Sequence, residues 1–200
     1  EAYFFQFVYN AYNNHHPLAY TLLVRFFYNL GNNLLGSYTV GIALFTIVQM
    51  LLLAFSMTVF IRCIYKAYNK KWLFLLLTLL FGLHPMNAYM SVTMTKDIYF
   101  AAGILLAFSA LFTELFLQTG EYNKWINLSC FILGLILVVL FRSNGRYCIL
   151  ATLFVEIFCL IIFKTKRKSV LQLLAGTIIA FFIGMVLVSA IDKATNAQEV

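Results

Sequence analysis

An all-α bundle of transmembrane helices is the fold this sequence predicts, and three observations carry that expectation. Of the 200 residues, 63% are hydrophobic and 10% charged, whereas a soluble domain of this length needs roughly a quarter of its residues charged to cover its surface. The apolar residues fall in runs near the ~20 helical residues needed to cross a hydrocarbon core. The basic residues gather in short stretches between those runs. Lipid is then the outer solvent, and a helix satisfies its own backbone in lipid. The 21 Phe and 12 Tyr suit both the apolar span and the interfacial belts.

The net charge of +7 excludes little by itself. Its distribution does more: without a contiguous basic surface, no nucleic-acid partner is expected, and the short cationic stretches read as orientation signals.

Taken in order, residues 1–36 are expected to form an extracytoplasmic loop carrying a surface-lying helix. Pro17 suits the first helical position, where its missing N–H costs nothing. Leu18 to Leu30 is apolar but too short to cross, and Arg25 interrupts it, so this segment reads as interfacial. Gly31-Asn32-Asn33 is expected to end it. A transmembrane bundle then occupies 37–191, with about six crossings at 37–61, 68–86, 98–117, 126–141, 147–163 and 170–191. The second is the least regular, because its unbroken apolar run stops before His84-Pro85. Either that helix begins near Tyr65, or the chain bends at Pro85 within the outer half of the membrane, since proline removes a backbone donor. Residues 192–200 read as an extracytoplasmic tail. The chain opens at Glu1 without a methionine or a signal-peptide pattern and stops soon after an apolar run, which suggests a stretch of a longer protein.

The positive-inside rule orients this arrangement. Arg62, Lys66, Lys70 and Lys71 fall in the first inter-helix loop, Lys124 in the third and Lys164, Lys166, Arg167 and Lys168 in the fifth. With six crossings these loops share a side, which holds nine of the fourteen cations and is read as cytoplasmic. Cys63, Cys130, Cys148 and Cys159 show no paired spacing and read as small apolar fillers without a disulfide framework or metal site.

Four polar motifs then meet on the outer face: Asn13-Asn14-His15-His16-Pro17, His84-Pro85-Met86-Asn87, Thr95-Lys96-Asp97 and Arg142-Ser143-Asn144-Gly145-Arg146. His15 and His16 are either interfacial loop residues or hydrogen-bond partners of a phosphate or sugar. Adjacent histidines rarely share one metal, so no cofactor is expected, while a divalent metal stays open as an alternative. Asp97 either caps a helix N-terminus or serves as a base at the mouth of an outer cavity, with Lys96 beside it. Arg142 and Arg146 share a face if the turn between them is helical, and their guanidinium forks match phosphate oxygens. Their plainer role is to anchor helix ends at the interface. Glu156 lies near the middle of the fifth crossing, where an ionisable group is costly and normally paired or functional. Gln49 in the first crossing is expected to make an interhelical hydrogen bond.

The run His15-His16-Pro17-Leu18-Ala19-Tyr20-Thr21-Leu22-Leu23 resembles the His-Pro-Pro-Leu-Tyr-Tyr type motif of GT-C membrane glycosyltransferases, such as the protein O-mannosyltransferases and aminoarabinose transferases. The order of motif, interfacial helix and long crossing is similar too. Lys96-Asp97-Ile98-Tyr99-Phe100 and Arg142-Ser143-Asn144-Gly145 look like stretches of uncharacterised multi-pass bacterial proteins near that superfamily. One proline stands here where many members have two. The acidic base of those enzymes usually lies upstream of the motif, where here only Glu1 stands.

The resemblance implies transfer of a sugar from a polyprenyl-phosphate donor to a glycan, lipid or protein acceptor. The setting it implies is the outer leaflet of a bacterial cytoplasmic membrane. It assigns Arg142, Arg146 and Lys96 to the lipid phosphate, His15, His16, His84 and Asn144 to further polar contacts, and Asp97 to the base. Two other readings stand beside it: a transporter or lipid flippase using Glu156 and Gln49, and a non-catalytic assembly subunit.

Overall fold

The computed structural model describes Gln6, Tyr12 and residues 17–118 and 120–195, and these form an all-α polytopic bundle. The helices are α1 (Leu18–Leu35), α2 (Tyr38–Tyr68), α3 (Lys71–Leu83), α4 (Pro85–Val92), α5 (Lys96–Phe116), α6 (Lys124–Phe141), α7 (Gly145–Ile162) and α8 (Arg167–Thr195). A 3-10 turn, Lys164–Lys166, leads into α8. Five of these helices, α2, α5, α6, α7 and α8 with its leading turn, are long and apolar enough to cross a membrane. The pair α3–α4, bent by 50° at its break, makes a sixth when counted as one span. The chain is a multi-pass membrane protein.

Helix α1 does not stop at Gly31-Asn32-Asn33. It continues to Leu35 and ends at Gly36, whose φ of 63° is the left-handed geometry that glycine adopts at least cost. Gly31 lies inside the helix because α1 presses onto α2 there: a Cβ on Gly31 would sit 2.3 Å from the Gly41 nitrogen. One face of α1 buries Leu18, Tyr20, Thr21 and Val24.

Helix α2 runs to Tyr68, so Arg62 and Lys66 sit in its last turns and not in a loop. The second crossing also differs from the span expected at 68–86. The bend at Pro85 occurs, with His84 Nδ1 accepting from the Met86 amide at 3.3 Å to cap the new helix. The return then continues to Val92. Phe81 packs on Phe60 with ring centroids 5.8 Å apart, and Gln49 Nε2 donates to the Ser91 and Thr93 carbonyls at 3.0 and 2.8 Å. His84, exposed on the bundle's surface, therefore lies at a level between two contacts within the length of α2.

Small residues let the central helices touch. A Cβ on Gly103 of α5 would stand 2.6 Å from the Gly134 carbonyl of α6, and the reverse distance is the same. Without a hydrophobic force between helices in lipid, such close backbone packing holds spans together. An aromatic core joins α1, α2, α5 and α6: fully buried Tyr20 meets Phe45 at 5.7 Å, Tyr99 at 6.1 Å and Phe141 at 6.4 Å. Tyr99 and Phe141 stack at 4.6 Å. Outward faces stay apolar, as Phe154, Phe158 and Ile161 of α7 show, which suits contact with acyl chains.

Candidate functional site

The aromatic core fixes the ends of α5 and α6, and the polar residues stand on those ends. Thr95 caps α5 by accepting from the Asp97 amide at 3.3 Å, and its hydroxyl donates to the Asp97 carboxylate at 3.4 Å. Asp97 thus fills the first-turn position where a negative charge meets the helix dipole. It also faces Arg142, at the end of α6, with Nη1 and Oδ1 3.5 Å apart. The guanidinium lies 4.9 Å from the centroid of the Phe100 ring, so an acid and an aromatic face both hold it.

Arg142 does not continue α6. The chain turns through Ser143 and Asn144, with the Gly145 amide donating to the Arg142 carbonyl at 2.8 Å, and α7 begins. So tight a hairpin requires glycine at 145: a Cβ there would lie 2.0 Å from the Val138 carbonyl oxygen. The turn brings Arg142 and Arg146 to a shared cavity of about 180 Å³. Ser143 lines it with them, Pro17 and Leu18 close it from α1, and Asp192 closes it from α8.

A second depression begins at the same arginine. Between α7 and α8 runs an apolar groove of about 330 Å³, lined by Arg146 at one end and by Leu150, Leu153, Ile178 and Phe181 beyond it. Arg146 therefore borders both a cavity lined by charged and apolar side chains and an apolar groove between two candidate spans. An amphiphile with an anionic head and a long tail matches that pairing of surfaces.

The sequence-predicted residues separate into groups. Arg142 and Arg146 come together at the cavity. Asp97 comes with them through the ion pair but does not line the cavity, and Lys96 begins α5 beside it. Asn144 is exposed at the tip of the hairpin, where its carbonyl accepts from the Tyr147 amide at 3.0 Å. His84 lies elsewhere, within the bent return, so the four motifs do not all meet at one end. His15 and His16 fall outside the described residues, though Pro17, which follows them, lines the cavity. Sequence reasoning missed Asp192, which it placed in a tail. The available signal was that 170–191 is one apolar run, so an acid directly after it stands at the same membrane edge as Arg142.

The residues on which a transport path would depend are packed. Gln49 makes the interhelical bonds described above. Glu156 is fully buried, and its Oε1 accepts from Thr177 Oγ1 of α8 at 2.8 Å. Both tie helices together in lipid, where a side-chain hydrogen bond between spans serves as glue.

The matching region runs almost from end to end, over residues 9–199. The chain belongs to DUF6020, a family of unknown function. No curated protein and no solved structure matches it. Membership in DUF6020 accounts for the whole bundle as one unit and leaves the chemistry to the residues themselves.

Proposed function

We propose that the protein is a membrane glycosyltransferase that takes a sugar from a polyprenyl-phosphate donor and passes it to a hydroxyl of a glycan, lipid or protein. We place the reaction at the extracytoplasmic face of a bacterial cytoplasmic membrane. One observation carries the reading: Arg146 lines both a cavity holding a second arginine and an apolar groove between α7 and α8. The arginines suit the donor phosphate and the groove suits its isoprenoid tail.

Each residue then has a task. Arg142 and Arg146 bind the phosphate and stabilise the charge that develops as polyprenyl phosphate leaves. Asp97 and Phe100 position Arg142. The acceptor oxygen attacks the anomeric carbon, the bond from that carbon to the phosphate oxygen breaks, and polyprenyl phosphate departs with the bonding electrons. Asp192, the carboxylate that lines the cavity, takes the acceptor proton.

The test is release of polyprenyl phosphate from a polyprenyl-phosphate hexose by the full-length protein in proteoliposomes. Release by wild type, lost on Arg142→Ala with Arg146→Ala, supports the proposal. Release that ignores both substitutions contradicts it.

A further inference from the structure

A second groove lies at the opposite end of the bundle, and it involves neither Arg142 nor Arg146. Helices α2, α5 and α6 enclose about 310 Å³ there. Its wall on α2 changes character along the helix: Phe55 and Val59 come first, then Arg62, Cys63 and Lys66. Tyr122, Asn123 and Asn127 complete the polar end, and Ala110 and Ile126 belong to the apolar part.

The dimensions are those of one leaflet. Phe55 and Lys66 are eleven positions apart, or about 16 Å at 1.5 Å per helical residue, which is half of a hydrocarbon core about 30 Å thick. The polar end also sits where the bundle is most cationic. Lys66 donates to the Glu121 carbonyl, and Lys166 donates to the Leu117 carbonyl at 2.7 Å, so the last turns of α2 and the turn before α8 both meet the α5–α6 connection there.

Nearby polar side chains are engaged with one another, and Lys66, with one of its three N–H groups on the Glu121 carbonyl, keeps two for a ligand. Asn127 Nδ2 donates to the Ala110 carbonyl at 3.0 Å and to Glu114 at 3.2 Å, and Lys124 stands 3.8 Å from the same carboxylate. Glu114 is thus matched behind the groove wall. Burial first, and Glu114 second, push the Tyr122 phenol above the usual tyrosine range, so it stays a neutral donor. No acid lines the groove, and Arg62 has no side-chain partner among the described residues.

We infer that this groove is a binding site for an anionic phospholipid of the cation-rich leaflet, its phosphate held by Arg62 and Lys66 and an acyl chain lying along Phe55 and Val59. Basic pockets between spans take anionic headgroups in this way. The site is independent of the sugar-transfer reading, because it shares no residue with the Arg142 cavity.

Delipidated full-length protein, titrated with phosphatidylglycerol or phosphatidylcholine and read by native mass spectrometry, tests the assignment. Wild type binds phosphatidylglycerol more tightly. Arg62→Ala with Lys66→Ala weakens that binding on the order of 30-fold, from about fivefold per lost cation. Arg62→Lys with Lys66→Arg retains it, and so does Arg142→Ala with Arg146→Ala. Arg62→Gln with Lys66→Gln, which keeps much of the stems, repeats the measurement if the alanine pair does not fold. Equal affinity for the two lipids overturns the inference, as does a neutral pair that binds like wild type or a matching loss in the Arg142 and Arg146 pair. Displacement of the lipid by excess glycerol 3-phosphate would identify a soluble phosphate as the occupant and overturn it too.

Discussion

On the proposed reading, Arg142 is a side chain held ready for an anion by its neighbours. Asp97 and Phe100 lie against its guanidinium, and Arg142 also lines the cavity. At 44% and 56% exposure the two charged side chains are open to solvent, so their ion pair adds little to stability, about 0–1 kcal/mol. Asp97→Asn should accordingly leave the melting temperature in detergent nearly unchanged while weakening phosphate-lipid binding through a freer Arg142. A large drop in melting temperature would assign Asp97 to the fold instead. Glu156 is the opposite case. Glu156→Gln keeps an oxygen for Thr177 and should cost less than about 1 kcal/mol, whereas Glu156→Ala loses that bond and leaves space, costing about 1–3 kcal/mol. Thermal unfolding of the two variants separates them, and equal losses would contradict a hydrogen-bonding role. Arg142, Arg146 and Asp97 were legible in the sequence because charge is rare in this chain. Asp192 was not, because an acid that follows an apolar run looks the same at the start of a tail as at the wall of a cavity.

Elements were legible where hydropathy alone decides them and less so where backbone contact does. The bend at Pro85 follows from a missing donor, but the extension to Val92 does not, since Asn87 and Ser91 look like loop residues until Asn87 Nδ2 is seen donating to the Phe81 carbonyl at 2.9 Å. Arg62 and Lys66 suggested a loop, yet their long stems let a helix continue past the membrane edge with the charges reaching outward. The α6–α7 hairpin depends on a contact that no sequence pattern announces. Gly145→Ala places a methyl group against the Val138 carbonyl, and such overpacking costs about 1–3 kcal/mol. Because Arg142 and Arg146 flank that position, the variant should also lose phosphate-lipid affinity. Retention of both stability and affinity would show that the hairpin tolerates a wider turn.

At the scale of the whole molecule, the alternation of spans sends the Arg142 cavity and the Arg62 groove to opposite ends, with nine of the fourteen cations on the groove's side. On the proposed reading, the positive-inside rule assigns the cavity end to the extracytoplasmic face. Ser143→Cys and Thr165→Cys, treated with a membrane-impermeant maleimide, should label from opposite faces of intact cells and inverted vesicles, with Ser143→Cys reached from outside. Labelling of both from one face would break the topology. The bundle itself was legible because apolar length and charge scarcity are properties of the chain as a whole. The meeting of cavity and groove at Arg146 was not, because it arises from the packing of α7 on α8. The sugar-transfer reading rests on that meeting, and binding of a polyprenyl phosphate to the purified protein tests it, with Arg142→Ala, Arg146→Ala and the groove-filling Leu153→Trp beside wild type. Saturable binding is expected, weakened at the head by each arginine variant and at the tail by the tryptophan. Binding that is absent, or indifferent to all three, would contradict it.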